Sequence, residues 1–221
     1  MKKMLVIIVI LAMILVSMII YKNIAINKNK SVNVQEVEQI EEYISKIYMW
    51  KEITKEALPT FENINNANEL WVWEVIKKNL ETYETTYEEI QQKGKELFGE
   101  KFERQIPKEG NDSFYYDKES NKYLATEIVL DEEEDSFLLK DIEKEWEKYK
   151  VKIIEYIEDY SEENKVIIRN LKEEEIGRVS TTDSETKIKE IVKNNKERFS
   201  QKNIEIKKEK DNLVIEKVNK E

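Results

Sequence analysis

The sequence predicts an α+β domain, because helical patterns fill its first half and strand patterns fill most of the second. Between residues 34 and 99, apolar side chains recur three, four or seven positions apart, which places them on one face of a helix. From residue 113 onwards, β-branched and aromatic residues alternate with charged ones around clusters of turn formers. This order is typical of helices packed on one face of a curved, mostly antiparallel sheet.

The first helical pattern begins near Val34, and Pro59 ends it. The spacing could serve a coiled-coil partner, but a stripe of this length more often packs within its own domain. Its apolar members are Val37, Ile40, Ile44, Ile47, Thr54 and Leu58.

Two further helices follow, each opened by a capping pattern. Asn66 and Thr86 are each followed three positions later by a glutamate, and Gly99 is placed to end the third helix in a left-handed conformation. In the second helix, Trp71 and Trp73 cannot face the same way, so one of them is expected to be half exposed.

Residues 137–160 fit two templates, a long helix and a β-hairpin. The second half of the segment is rich in β-branched and aromatic residues, which favours a hairpin with its turn near Glu145 to Lys148.

The remaining second half is predicted mainly as strands. A strand, turn and strand occupy 114–129, and an acidic run follows at 131–135. Further on, the patterns predict a short strand at 165–169, a charged loop at 171–181, a helix at 183–199 and a terminal hairpin at 203–218. The strand region as a whole spans 113–171.

An apolar run near the amino terminus predicts a membrane anchor. It is about 25 Å long as a helix, near the lower limit for crossing a bilayer. No small-x-small cleavage site follows it, so an uncleaved anchor is favoured over a signal peptide. The predicted organisation is a short cytoplasmic flank (1–3), a transmembrane signal anchor (4–21), a tether (22–33) and one domain (34–221). The anchor includes Met4, Leu5, Ile10, Leu15, Ile20 and Tyr21.

Orientation depends on the short amino-terminal flank. Lysines stand on both sides of the apolar run, so the charge rule is nearly neutral. A very short flank ahead of a long folded region usually stays inside and exports the rest, which predicts an extracytoplasmic domain on a single-pass membrane protein.

Composition excludes several classes of chemistry. The chain has no histidine and no cysteine, so imidazole zinc sites, Ser-His-Asp triads and thiolate catalysis cannot be built. Its four glycines form no phosphate-binding loop. Without Lys2 and Lys3, the formal charge of −10 becomes −12, and basic residues alternate with acidic ones, so nucleic acid is not an expected partner. The acidic run at 131–135 could hold calcium, but it lacks the alternating spacing and central glycine of an EF-hand loop, which favours a solvated loop. No cofactor or metal is predicted.

The order of elements over about Val34 to Val218 resembles the NTF2-like or cystatin-like arrangement, in which helices lie in a curved antiparallel sheet. The chain as a whole also resembles the small, lysine-, isoleucine- and glutamate-rich, singly anchored proteins of low-GC Gram-positive bacteria. The NTF2-like resemblance implies a pocket in which tyrosines and a carboxylate could polarise a carbonyl group. The candidate tyrosines are Tyr115, Tyr116, Tyr123, Tyr149 and Tyr156.

These observations favour a tethered binding or accessory domain without catalysis. Its expected partners are the lipid bilayer, through the anchor, and an unidentified protein or small ligand at the cell envelope. The alternatives are an enzyme that uses tyrosine and carboxylate groups, and a structural spacer.

Overall fold

The computed structural model describes residues 32–49, 51–126, 133–183 and 185–221. Over these residues the chain is α+β with antiparallel sheets, which confirms the predicted class. None of the helices in this part of the chain is long and apolar enough to cross a bilayer. The predicted anchor, residues 4–21 with Met4, Leu5, Ile10, Leu15, Ile20 and Tyr21, lies outside the described residues. The helices are α1 (Val34–Ile47), α2 (Lys51–Thr54), α3 (Glu69–Lys78), α4 (Tyr87–Phe98) and α5 (Glu185–Asn194).

The described strands form two sheets. A small sheet has the order β1-β3-β2, and a six-stranded sheet is built around β5. Strand β5 pairs with β4 along one edge, while β8 and then β6 pair with successive parts of its other edge. The strands are β1 (Glu84–Thr85), β2 (Phe114–Asp117), β3 (Lys122–Ala125), β4 (Glu133–Glu145), β5 (Lys148–Asp159), β6 (Lys165–Arg169), β7 (Glu175–Ser180), β8 (Ser200–Glu209) and β9 (Asn212–Lys220).

Both faces of β5 are covered, which corrects the expectation that the helices lie on one face of the sheet. Tyr149, Val151 and Ile153 belong to a large apolar cluster shared with α1, α3 and α4. Ile154 and Tyr156 belong to a second cluster that includes α5. Because successive side chains of a strand point to opposite faces, these two sets place α5 on the other side of the sheet.

The first helix is shorter than its apolar stripe predicts. It starts with a capping box between Asn33 and Glu36 and ends at Ile47, instead of continuing to Leu58. The chain turns at Tyr48 because the backbone there bonds elsewhere: the amide of Met49 donates to the carbonyl of Ala57 at 2.9 Å. Tertiary bonding therefore overrides the helical periodicity at this point.

Helices α3 and α4 follow the sequence pattern with two differences. The cap of α3 is Asn68, not Asn66. Trp71 and Trp73 are both buried, so the expectation that one would be half exposed is wrong. Thr86 and Glu89 form the predicted capping box of α4, which ends at Gly99 with a positive φ of 90°.

The ambiguous segment 137–160 is a hairpin made by β4 and β5. Glu145 pairs with Lys148, so the turn consists of Trp146 and Glu147. The predicted charged loop at 171–181 is wrong in part, because Glu175–Ser180 is strand β7 and pairs with β6. At the carboxyl end, β8 and β9 form a hairpin longer than the 203–218 that was predicted.

Candidate functional site

A cleft of about 450 Å³ lies beside the first residues of β4. Within the described chain, β4 pairs only with β5, so this cleft occupies the outer edge of the main sheet. Four elements besides β4 contribute to it, namely the end of α1, α3, the end of β5 and the start of α5. Its lining consists of Glu41, Ser45, Tyr48, Met49, Lys78, Glu134, Asp135, Ser136, Phe137, Tyr156, Glu158 and Glu185.

Aromatic rings form the inner wall of the cleft. The rings of Tyr48 and Phe137 pack with centroids 5.1 Å apart. The Tyr48 hydroxyl donates to the backbone carbonyl of Ser136 at 3.3 Å, and Tyr156 is the residue of β5 directly paired with Ser136. Burial raises the pKa of both tyrosine hydroxyls well above the ordinary value, so they are neutral donors at pH 7.

Carboxylates surround this wall on every contributing side except that of α3, which supplies Lys78. Glu41 comes from α1, Glu134 and Asp135 from β4, Glu158 from β5 and Glu185 from α5. Clefts lined by one sign of charge concentrate the electric field and attract ions of the opposite sign. The arrangement therefore favours a cationic ligand.

Two lysines limit the negative charge without cancelling it. Lys78 is the one cation among the described lining residues, and it donates to the carbonyls of Ser45 and Tyr48 at 3.0 and 2.8 Å. Burial lowers the pKa of the Lys78 ammonium group, and the Glu134 carboxylate opposes this effect. Lys189 on α5 bridges two rim carboxylates, at 2.7 Å from Glu185 and 3.8 Å from Glu41.

Behind the aromatic wall lies a buried ion pair that does not line the cleft. Glu155 on β5 and Lys202 on β8 are 3.2 Å apart, with side chains 0% and 2% exposed. The Tyr48 hydroxyl is 3.4 Å from one Glu155 oxygen, and the Ser200 hydroxyl donates to the other at 3.0 Å. Lys202 also donates to the carbonyl of Leu58. Both members of the pair thus have further hydrogen-bond partners, and the pair links the sheet to the segment after α2.

Of the five tyrosines that the sequence suggested, only Tyr156 lines the cleft. Tyr115, Tyr116 and Tyr123 belong to the small sheet, where the rings of the last two are 5.0 Å apart. Tyr149 is buried and donates to Glu36 at 3.0 Å. The structure therefore does not gather these tyrosines into one pocket.

Sequence reasoning missed Tyr48 and most of the carboxylates. The apolar stripe predicts a helix that continues through Tyr48, whereas the structure ends α1 at Ile47 and places Tyr48 in the cleft lining. Part of the signal was present, because Glu134 and Asp135 belong to the acidic run at 131–135. The run was interpreted as a solvated loop, whereas these two residues belong to strand β4. In the described residues, no group of three acidic, histidine or cysteine side chains is arranged to hold a metal ion.

Comparison with known proteins gives no family. No family model matches the chain, and neither the curated proteins nor the solved structures contain a match. The function therefore has to be argued from the cleft and its surroundings.

Proposed function

We propose that this chain is a membrane-tethered binding domain that receives a cationic side chain of a partner protein in the cleft beside β4. The single observation that carries the proposal is the combination of five carboxylates and an aromatic wall around one cavity. An ammonium or guanidinium group is attracted both by the carboxylates and by the faces of aromatic rings. The same features would repel an anionic ligand.

The position of the cleft supports a polypeptide ligand. It lies on the outer edge of β4, where residues 134–137 line it in succession. An extended segment that runs along this edge could place one basic side chain in the cavity, as in strand-addition complexes. A volume of about 450 Å³ holds one long side chain with room for water.

No catalytic step forms part of the proposal. Glu155 is the buried carboxylate nearest a tyrosine hydroxyl, but Lys202, Tyr48 and Ser200 already occupy its oxygens, and it does not reach the cleft. That bonding suits a structural ion pair better than an acid or base. The presence of a cleft also favours binding over a role as a structural spacer.

The test is a titration of the protein with a short lysine-rich peptide, followed by fluorescence anisotropy of a dye on the peptide. We expect Glu134→Gln together with Glu158→Gln to weaken binding by roughly thirty-fold, since each removed charge is worth about 1 kcal/mol at contact in water. The matched control is Glu38→Gln with Glu81→Gln, two exposed carboxylates outside the cleft. Equal affinities for both double variants would show that the peptide responds to net charge alone, and the cleft proposal would fail.

The membrane tether and its orientation belong to the same proposal and rest on the apolar run at 4–20 and the short flank before it. The chain has no cysteine, so a single Glu163→Cys substitution in the exposed turn after β5 provides one labelling site. Labelling of intact cells by a membrane-impermeant maleimide is the expected result. Labelling only after lysis would place the domain inside.

A further inference from the structure

The turn between β4 and β5 presents a tryptophan in an unusual backbone conformation. Trp146 is 56% exposed and has φ of +62°. Bulky residues rarely adopt positive φ, which glycine, asparagine and aspartate tolerate much better. The turn is fixed in place, because the amide of Lys208 donates to the carbonyl of Glu147 at 2.7 Å. The indole is therefore displayed to solvent at a conformational cost.

The turn between β4 and β5 lies close to the start of α1, the first helix of the domain. Glu36, in the first turn of α1, accepts from the Tyr149 hydroxyl at 3.0 Å and forms an ion pair with Lys144. Lys144 and Tyr149 form the second residue pair from the hairpin turn. The start of α1 and the tip of the hairpin thus lie side by side. Val34, the first residue of α1, is also exposed.

The chain length before α1 keeps this end close to the proposed anchor. The twelve residues 22–33 separate the apolar run from the helix. They span at most about 40 Å when fully extended, and about 20 Å as a flexible coil. A hairpin tip beside α1 is therefore within reach of the bilayer surface to which the anchor would hold it.

Charge at the tip is balanced, unlike the charge of the domain. Removal of the five lysines of residues 1–31 from the formal charge of −10 leaves −15 for the rest of the chain. Near the tip, however, Lys144 pairs with Glu36 and Lys148 pairs with Glu216. A lipid surface is therefore repelled less by this end than by the domain as a whole.

We propose that the hairpin tip is a second membrane contact, in which the Trp146 indole inserts into the interface of the bilayer beside the anchor. This inference rests on the proposed tether, because a single indole binds weakly on its own. Tryptophan favours the membrane interface, where its ring is in an apolar zone and its N–H stays hydrated. Tethering raises the effective concentration of the tip at the surface to the millimolar range or above, which makes a weak contact persistent. The contact would fix the orientation of the domain on the membrane, and with it the direction in which the cleft opens.

The experiment uses the full chain in phosphatidylcholine vesicles that contain a lipid with a nitroxide quencher near the headgroup. An environment-sensitive fluorophore is placed on Glu147→Cys at the tip or, as the matched control, on Glu163→Cys beyond the opposite end of β5. The twelve residues of β5 separate these sites by about 40 Å. We expect quenching at residue 147 to exceed that at 163 several-fold. Trp146→Asn, which suits positive φ but lacks the indole, should bring the two values together.

The outcomes separate this inference from the tether itself. Equal quenching at both sites in protein that stays in the vesicles after an alkaline wash would overturn the second contact and leave the tether intact. Loss of the protein from the vesicles in that wash would instead refute the tether, and this inference with it. Unchanged quenching in Trp146→Asn would show that the indole is not the contacting group.

Discussion

Lys202 offers a quantitative test of how the main sheet is joined to the helical layer. Its ammonium group is 3.2 Å from the Glu155 carboxylate, and both side chains are almost completely buried. Substitution Lys202→Met keeps an unbranched side chain, one atom shorter, and removes the ammonium group with its charge and its hydrogen-bond donors. Glu155 is then left as a buried carboxylate without a counterion, and the carbonyl of Leu58 loses its donor.

The expected loss follows from the cost of each orphaned group. Removal of one member of a buried ion pair typically costs about 3–5 kcal/mol, and an unsatisfied buried carbonyl about 1–3 kcal/mol. The Ser200 hydroxyl still donates to Glu155, and the Tyr48 hydroxyl lies 3.4 Å from it, which reduces the total. We therefore expect Lys202→Met to lower the free energy of unfolding by about 4 kcal/mol, a large part of the roughly 5–15 kcal/mol available to a domain.

Urea unfolding of residues 32–221, followed by far-ultraviolet circular dichroism, measures this loss. Lys148→Met is the matched control, because Lys148 also pairs with a glutamate but is half exposed, and it should cost less than about 1 kcal/mol. Glu155→Leu combined with Lys202→Met removes both charges and should recover much of the lost stability. A Lys202→Met protein within 1 kcal/mol of the parent, as for an exposed pair, would refute the reasoning, as would a double variant less stable than the single one.

Three further predictions use the same unfolding assay. Gly94→Ala should lower the free energy of unfolding by about 1–3 kcal/mol, because the new Cβ would lie 2.3 Å from the ring of Phe102. Alanine favours helices more than glycine does, so a gain in stability would show that this close packing is wrong. Trp146→Gly should gain about 1 kcal/mol, because glycine accepts the positive φ of the turn, and a loss would show that the indole stabilises the fold. Burial alone would raise the pKa of Asp159, but its hydrogen bonds and the Arg169 guanidinium at 2.7 Å lower it overall. The ionised Asp159 carboxylate therefore contributes its full stability above 3.8, its pKa in the unfolded chain. The contribution is lost as the pH falls through the lower pKa of the folded state. The stability gap between the parent and Asp159→Asn should shrink below about pH 4, and a gap that widens in acid would contradict this sign.

The fold class was predictable because its signals are local. Capping at Thr86, the stop at Gly99 and the β-branched run after Lys148 each depend on neighbours in sequence. The two-residue turn at Trp146 was placed correctly for the same reason, although a tryptophan is not a typical turn former. Local chemistry was sufficient wherever no distant group competed.

Prediction failed where a distant group decides the conformation. The end of α1 is set by a backbone bond from Met49 to Ala57, which no periodicity reveals. Strand β7 contains a glycine and an arginine, and it is a strand because β6 supplies its hydrogen bonds. Glu155 and Lys202 stand in phase with the inward apolar residues of β5 and β8, but charged side chains are usually solvated. Only the structure shows that they are buried against each other.

The candidate site was the least predictable part, because five separate elements build it. The acidic run at 131–135 supplied one visible clue, but Glu41, Glu158 and Glu185 come from α1, β5 and α5. Charged residues on the surfaces of helices and strands are usually solvated. These three glutamates line one cleft only because the fold brings α1, β5 and α5 together. Tyr48 gave no signal beyond its apolar character.

The sign of the electrostatic potential inside the cleft is the most direct test of the proposed function. The absence of cysteine allows Ser136→Cys to place one thiol among the lining residues. Its reaction rates with a cationic and an anionic methanethiosulfonate reagent are compared with those of a neutral small thiol. The account predicts a strong preference for the cationic reagent that weakens with added salt and with Glu134→Gln and Glu158→Gln. Equal rates for the two reagents, or faster reaction with the anionic one, would contradict a cleft that receives cations.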